Sequence, residues 1–402
     1  MQHDMVQGRD IIVVGQQPWD VSIGSNCKNI AIEFSKHNRV LYVNSALDRA
    51  TLLRNGKDEK IKKRRNVIDG KEQGLVEVEN DLWNLYPDVM LESITWIKNH
   101  RLFNSLNKLN NKRFAASITR ALQQLGFSNY ILFNDNDIYK SFYLSNLLKP
   151  AFSIYYSRDF MLAVDYWKRH GDKLEPQLIA KSTICVANST YLADYCRQYN
   201  KHSYYVGQGC ELDLFDPELA LQTPADIATL KGPLIGYVGA LQTLRLDIEI
   251  LTHIAKERAE WTIVLVGPED EGFKKSALHQ MKNVCFTGPK NPTELPAYIN
   301  GFDVCVNPQI LNEVTIGNYP RKIDEYLAMG KPVIATRTKA MEIFEDHSYL
   351  AENKEDYVKL IETALSEDGA DLHKSRRAFA LSHSWENSVN LIYKAIIDYN
   401  KS

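Results

Sequence analysis

Two series of short apolar runs, separated by helical or polar segments, constrain the fold of this chain more than any other feature. The runs occupy residues 11–14, 40–43, 130–133, 153–156 and 183–187, and then residues 234–238, 261–266, 284–286, 304–306 and 333–335. Runs that are apolar throughout are typical of strands buried on both faces, as in parallel sheets. Because helical segments alternate with these strands, we predict an α/β chain built of right-handed βαβ units.

The length of 402 residues indicates two domains rather than one hydrophobic core. Pro217, Pro224 and Pro233 punctuate a stretch without a long apolar run, which is typical of a linker. The predicted segments are a first domain at 1–216, a linker at 217–232, a second domain at 233–384 and a last helix at 385–402. Two α/β domains of this kind are expected to bind ligands in a cleft between them, at the carboxyl ends of their strands.

Composition excludes several classes of protein. Charged residues make up 24% and the formal net charge is -2, so nothing in the global charge favours nucleic acid. The six cysteines form no C-x-x-C pair, which argues against a zinc site or a disulfide framework and favours a reducing compartment. The N-terminus lacks an apolar signal core, and no run reaches 18 apolar residues. We therefore expect a cytoplasmic protein.

Residues 318–336, NYPRKIDEYLAMGKPVIAT, carry the clearest chemical pattern. A helix is predicted at 321–329, with Gly330 as its stop and Pro332 leading into a strand. Lys322 lies in the first turn, where the helix dipole does not favour a cation, so it is expected to face an anion. Glu325 lies one turn later on the same face, where its carboxylate would accept hydrogen bonds from sugar hydroxyls. The spacing is equally typical of an ordinary surface ion pair between the two side chains.

This segment resembles the motif P-x-K-x-x-E-Y-L-A-x-G-K-P-V-I-A-T of glycosyltransferases with the GT-B architecture. The resemblance is to the retaining family four, the glycosyl transferases group 1, with features of the xanthan-type glucuronosyltransferase group. It implies two Rossmann-like domains with parallel sheets that face an interdomain cleft. In such enzymes this helix holds the nucleotide of the donor sugar, which implies that Lys322 binds phosphate and Glu325 binds ribose.

Other segments resemble the family in the expected order. Residues 207–215 resemble the step that ends the first domain, and residues 236–245, GYVGALQTLR, resemble the glycine loop that opens the second. The resemblance implies that Gly239 and Arg245 contact the donor. It also places a small-residue loop, here Gly24 and Ser25, close to the donor phosphate; an ordinary helix start is the alternative.

Two departures from the family pattern bear on the chemistry. Gly317 stands where the first of two glutamates is usual, which weakens the transfer of the retaining stereochemistry to this chain and leaves retaining and inverting outcomes open. Ala240 replaces the usual arginine, which leaves Arg245 and Lys322 as the predicted diphosphate clamp. Two fixed cations of this kind stabilise the charge that grows on a departing diphosphate. We expect no metal and no other cofactor.

Asp159 is the predicted catalytic base. It follows the predicted strand at 153–156, and the segment SIYYSRDFM resembles a stretch in which an aspartate takes the proton of the acceptor hydroxyl. A turn or N-cap aspartate is the alternative. Asp165 and Asp135 are the next candidates.

The sequence thus predicts a glycosyltransferase that moves a sugar from a nucleotide-sugar to a saccharide or lipid-linked acceptor, in surface polysaccharide synthesis. A nucleotide-sugar epimerase and a non-catalytic nucleotide-sugar-binding protein of the same fold are the alternatives. The basic run from Lys57 to Arg65 is typical of a solvated face, and also of a patch that contacts anionic lipid at the inner membrane face. No nucleic-acid partner is expected. A dehydrogenase is disfavoured because no G-x-G-x-x-G follows Val14.

Overall fold

The computed structural model describes residues 6–21, 25–219 and 222–401, and the chain divides into two compact units. The first unit comprises Met1–Gly207 with Trp385–Ser402, and the second comprises Gln208–Ser384. The division therefore falls before the linker that the sequence indicated at 217–232. The physical reason is burial, because Cys210, Leu212 and Phe215 belong to the hydrophobic core of the second unit.

The first unit contains an eight-stranded sheet in the order β3-β4-β2-β1-β5-β6-β7-β8. All neighbouring strands pair in parallel except β3, which runs antiparallel to β4 at the edge. The strands are β1 (Asp10–Gly15), β2 (Arg39–Asn44), β3 (Leu75–Glu79), β4 (Leu82–Leu85), β5 (Ile131–Asp135), β6 (Phe152–Ser157), β7 (Ile184–Ala187) and β8 (Ser203–Tyr205).

Helices cover both faces of this sheet, which is why its central strands are apolar along their whole length. They are α1 (Asn26–Ser35), α2 (Arg49–Asn55), α3 (Glu59–Ile68), α4 (His100–Leu125), α5 (Leu144–Leu148), α6 (Asp165–Lys181) and α7 (Thr190–Arg197).

The second unit contains a six-stranded sheet in which every pair is parallel, in the order β11-β10-β9-β12-β13-β14. The strands are β9 (Leu234–Val238), β10 (Thr262–Val266), β11 (Val284–Gly288), β12 (Val304–Asn307), β13 (Val333–Thr336) and β14 (Tyr349–Ala351). This is the doubly wound Rossmann order, with the strand sequence reversing between β9 and β12. The first unit has the same reversal between β1 and β5.

The helices of the second unit are α8 (Ile248–Glu257), α9 (Glu271–Lys274), α10 (Leu295–Gly301), α11 (Arg321–Ala328), α12 (Lys354–Glu367) and α13 (Ala370–Leu381). Helix α11 is the helix that the sequence predicted at 321–329. It ends at Ala328, and Gly330 follows two residues later with a φ of 73°, in the left-handed region that glycine adopts readily. The N–H of Gly330 donates to the Leu327 carbonyl, and the N–H of Lys331 donates to the Tyr326 carbonyl.

The last helix, α14 (Trp385–Lys401), belongs to the first unit. Its apolar face, which includes Val389, Ile392 and Ile396, is buried in the core beside α1. The Asn38 side-chain amide donates to the Tyr393 hydroxyl at 3.0 Å, which ties α14 to the segment before β2. None of the helices in the described ranges is both long and apolar enough to cross a membrane.

Candidate active site

The loop after β9 lies at the reversal of strand order in the second unit. On one side the Leu241 N–H donates to the Pro268 carbonyl at 2.8 Å, which joins it to the loop after β10. On the other side the Ile310 N–H donates to the Arg245 carbonyl at 2.9 Å, which joins it to the loop after β12. The backbone at Arg245 is thus fixed from a neighbouring loop, while its side chain is exposed and makes no ion pair among the described residues.

Lys322 lies against Gly239, so the structure brings together two of the predicted donor-binding residues. A Cβ at Gly239 would lie 3.2 Å from Lys322 Cε and 2.9 Å from the Tyr237 hydroxyl, and the φ of Gly239 is +143°. The Lys322 ammonium sits 5.3 Å from the centroid of the Tyr237 ring, a cation–π arrangement. Glycine at 239 is therefore required both by the backbone and by the passage of the lysine stem.

Glu325 lies one turn after Lys322 on α11 and is half-buried. The two side chains do not form the surface ion pair that the spacing also allowed, and neither has an ionic partner within the described ranges. Burial raises the pKa of Glu325, and the charges of Lys322 and Arg321 oppose that rise. The Glu325 carboxylate and the Lys322 ammonium thus lie on one helix face without an ionic partner among the described residues.

A buried network that the sequence did not indicate lies on the inner face of α11. Asp324 is fully buried and accepts from the Tyr319 hydroxyl at 2.8 Å and from His383 Nδ1 at 2.6 Å. The Cys210 thiol donates to the same carboxyl at 3.2 Å. The polar hydrogen of Cys210 serves this carboxylate, as an aliphatic side chain could not. The network fixes the rotation of α11 and hence the direction of Lys322 and Glu325.

Asp159 lies two residues after β6, at the carboxyl edge of the first sheet, with its side chain 46% exposed. Arg158 joins it to Asp135 at the end of β5: Arg158 Nε donates to Asp135 Oδ1 at 2.8 Å, and Arg158 Nη1 donates to Asp159 Oδ2 at 2.8 Å. Asp135 is fully buried, and burial raises its pKa although Arg158 acts to lower it. Asp159 is thus the solvent-facing member of this trio. Sequence reasoning named both aspartates and missed the arginine.

Ser25 occupies the N-cap position of α1, but its side chain makes no capping hydrogen bond. Its hydroxyl oxygen is buried and has no hydrogen-bond partner in the part of the chain that the structure describes. An unpartnered hydroxyl at a helix N-terminus is the feature expected of an anion-binding position. Gly24, which the sequence predicted beside it, lies outside the described residues.

A cavity of about 660 Å³ opens in the first unit beside the ends of β1, β2 and β5. Its walls include the carboxylate of Asp165 and four aromatic side chains, those of Trp96, Tyr139, Tyr166 and Trp167. Trp96 is 71% exposed, yet its indole N–H donates to the Ser93 carbonyl at 2.7 Å, which fixes the ring. A sugar ring has an apolar face and polar hydroxyl groups. Fixed aromatic rings can pack against the first, and carboxylates can accept hydrogen bonds from the second.

No cluster of three or more His, Cys, Asp or Glu side chains that could hold a metal ion occurs in residues 6–21, 25–219 and 222–401. The six cysteines are free thiols, and all but the half-buried Cys285 are buried. The expectation that the reaction needs no metal stays a prediction.

The second unit matches a known family. Residues 232–367 match the family described as Glycosyl transferases group 1. The putative teichuronic acid biosynthesis glycosyltransferase TuaH of Bacillus subtilis is 27% identical over 203 residues, which cover 48% of this chain and 49% of that protein. The match therefore spans about half the length of this curated relative.

Solved structures share the fold over nearly the full chain. Sucrose-phosphate synthase from Thermosynechococcus elongatus has a TM-score of 0.65 at 15% identity, covering 98% of this chain and 100% of its own. HepE from Anabaena, in complex with UDP, has a TM-score of 0.63 at 15% identity, with 98% and 99% covered. The lipopolysaccharide outer core galactosyltransferase WaaB has a TM-score of 0.61 at 12% identity, with 97% and 99% covered. The predicted GT-B fold is confirmed; the xanthan-type features stay a prediction.

Replacing Arg158 by Ala should destabilise the first unit, because it leaves Asp135 buried without its cation. Loss of one partner of a buried pair costs about 3–5 kcal/mol. The folded-state pKa of Asp135 would rise further above the unfolded value, so folding would favour the protonated acid. The destabilisation should thus be largest at pH 7 and shrink as the pH falls towards 4. Urea unfolding across this pH range measures it.

Two controls accompany this measurement. Arg120→Ala breaks the exposed pair with Asp88 and should cost at most about 1 kcal/mol. The double variant Asp135→Asn/Arg158→Ala, which removes both charges, should recover part of the lost stability at pH 7. A loss in Arg158→Ala that is equal at pH 7 and pH 4 would contradict the buried-charge account.

Proposed function

We propose that this chain, a group 1 glycosyltransferase by the match of residues 232–367 and a GT-B protein by its fold, transfers a sugar from a nucleotide-diphosphate-sugar to a saccharide or lipid-linked acceptor. The observation that carries the proposal is the set of unpaired groups at the carboxyl edge of the second sheet: Lys322, Glu325 and Arg245. Two cations and one half-buried carboxylate without partners among the described residues suit a ligand with a diphosphate and adjacent hydroxyls.

The donor diphosphate would interact with Lys322 and Arg245, while Glu325 accepts hydrogen bonds from the ribose. Gly239 leaves room for the lysine stem, which supports this direction of the ammonium group. As the bond between the anomeric carbon and the diphosphate oxygen breaks, negative charge grows on the leaving group. Fixed cations stabilise that charge in the transition state. Ser25 keeps its proposed role as a hydroxyl donor to phosphate, supported by its unpartnered buried oxygen.

The acceptor would bind in the cavity of the first unit, with a sugar ring against Trp96 or Trp167. Asp159 would take the proton of the attacking hydroxyl as the new glycosidic bond forms. Its exposed carboxylate oxygen at a strand end, held in place by Arg158, supports this role. A non-catalytic binding protein or an epimerase is less well supported, because the family match and the structural neighbours are glycosyltransferases and related synthases.

The place of this transfer in surface polysaccharide synthesis is proposed by analogy with the relative from Bacillus subtilis, whose name refers to teichuronic acid. Crystal structures of HepE contain UDP or UDP-glucose, so uridine donors are the first to test. A panel of UDP-, GDP- and dTDP-sugars, read by thermal shift and by sugar transfer, tests the proposal as a whole. Failure of every member of this panel to bind would contradict it.

Membrane contact is a further part of the proposal, but it involves fewer residues of the basic run than the sequence indicated. Arg64, inside the basic run, points inward and makes a two-pronged ion pair with Asp20 at 2.8 and 3.1 Å. Lys57 and Lys60 are exposed, and Leu53 nearby on α2 is 86% exposed. These residues would contact anionic lipid head groups at the cytoplasmic face, with the apolar side chain at the interface.

Replacing Lys322 by Ala should weaken UDP binding by about tenfold or more, because a charge-assisted contact with phosphate is lost. Lys374→Ala, an exposed lysine on α13, is the matched control and should bind UDP like the unmodified chain. Isothermal titration with UDP measures both. Equal affinities in the two variants would contradict the assignment of Lys322 to the diphosphate.

Replacing Asp159 by Asn should lower kcat by about 100-fold or more with little change in donor affinity, because the amide does not take up the acceptor proton. The control is Asp172→Asn, the same exchange at an exposed position on α6, which should keep the kcat of the unmodified chain. Initial rates with a turning-over donor and acceptor pair measure the effect. Full activity in Asp159→Asn would assign the base to another group.

The variant Lys57→Glu/Lys60→Glu should lose binding to vesicles that contain phosphatidylglycerol, since each cation near an anionic surface contributes about 1 kcal/mol. The charge-matched control is Lys354→Glu/Lys374→Glu, which changes two exposed lysines of the second unit. Co-sedimentation at low salt measures binding, with phosphatidylcholine vesicles as the uncharged reference. Vesicle binding that is absent in the unmodified chain, or unchanged in the double variant, would remove membrane contact from the proposal.

A further inference from the structure

A chain of buried hydrogen bonds runs from helix α6 to the backbone of Asp159. Glu175 on α6, Tyr155 on β6 and Asn136 after β5 are all fully buried. The Tyr155 hydroxyl donates to Glu175 Oε1 at 2.6 Å, and the Asn136 side-chain amide donates to the Tyr155 oxygen at 3.0 Å. The amide oxygen of Asn136 then accepts from the backbone N–H groups of Arg158 and Asp159, at 2.9 and 3.2 Å.

We propose that Asn136 and Tyr155, anchored on Glu175, are positioning residues that fix the Arg158–Asp159 backbone for the transfer reaction. The inference rests on the proposed function, because it takes Asp159 as the base. None of the three is expected to touch the substrate, so each acts through the aspartate.

The geometry leaves Asn136 one orientation. Its oxygen faces two N–H donors, and its nitrogen faces a phenol oxygen whose own proton is given to Glu175. An amide flip would place donors against donors on one side. Asn136 also has a φ of 53°, a left-handed backbone that asparagine tolerates better than most residues. The orientation of the Asn136 side chain is therefore specified by the two N–H groups that donate to it.

Glu175 is an unusual anchor, since it has no ionic partner among the described residues. Its second oxygen accepts from the Tyr195 hydroxyl on α7 at 3.2 Å. Burial raises the pKa of Glu175 to about 7, although the two tyrosine hydroxyls act to lower it. A buried carboxyl without a cation costs free energy unless its hydrogen bonds compensate for it. The cost is understandable if the carboxyl is retained to hold Tyr155 in one orientation.

The direct test is Asn136→Gly, which keeps the left-handed backbone accessible and removes only the amide. Its matched control is Asn129→Gly, the same exchange at an exposed position with a φ of 49°. We expect kcat to fall about tenfold or more in Asn136→Gly, since small displacements of a catalytic group have effects of this size. The Kd for UDP should stay within about twofold, because Lys322, Glu325 and Arg245 lie in the second unit and no hydrogen bond of Asn136 among the described residues involves Ser25. Asn129→Gly should match the unmodified chain in both.

The second arm separates Tyr155 from a merely structural role. Tyr155→Phe removes the hydroxyl that links Asn136 to Glu175, whereas Tyr195→Phe removes the other hydroxyl on Glu175 without touching Asn136. We expect kcat to fall in the first variant and not in the second. The double variant Asn136→Gly/Tyr155→Phe should have the kcat of Asn136→Gly alone, because the two residues act in series. Each variant that loses kcat should also show faster hydrogen exchange at the backbone amides of residues 158 and 159.

Three results would overturn the inference: an unchanged kcat in Asn136→Gly, equal losses in Tyr155→Phe and Tyr195→Phe, or losses that multiply in the double variant. Each leaves the proposed function standing, provided that the unmodified chain transfers sugar and Asp159→Asn does not. Absence of transfer by the unmodified chain with every donor would instead overturn the proposed function, and this inference with it.

Discussion

Parallel pairing at two reversals of strand order, β1 with β5 and β9 with β12, is the constraint on which the rest of the structure depends. Parallel strands bury both faces and send every following loop to one edge, so polar side chains collect there and are excluded elsewhere. In the second unit that edge carries Gly239 and Arg245 on one loop. In the first it carries Asp135, Asn136 and Asp159. The chemistry of each unit is thus a consequence of its strand order.

Three buried carboxyl groups illustrate how this edge is stabilised. Asp135 has a guanidinium partner, Asp324 has a histidine, a tyrosine and a thiol, and Glu175 has two phenols. Each set of partners compensates its carboxyl group for the loss of hydration, and each fixes a neighbouring segment in one orientation. The segments so fixed are those that present Lys322 and Asp159. Three of the buried polar networks therefore lie behind groups to which we assign function.

Much of this architecture could be predicted from the sequence, because uniformly apolar strands and a helix with a glycine stop are local patterns. The predicted strands correspond to β1, β2, β5, β6, β7 and β9 to β13. The sequence missed β3, which is exposed at the edge, and the short strands β4, β8 and β14. Lys322 and Asp159 were found through a motif and a strand end. Arg158, Asn136 and Glu175 were missed, since their roles arise from contacts between distant elements that no local spacing records.

The return of the last helix to the first unit has a consequence for synthesis. Trp385 and Ile392 complete a hydrophobic core. Other residues of that core, such as Val13 and Val186, are translated long before them. While the second unit is being translated, the first unit still exposes the apolar surface that α14 will cover. The unit that begins first therefore finishes last, and for the time needed to make the intervening residues it offers chaperones a hydrophobic surface.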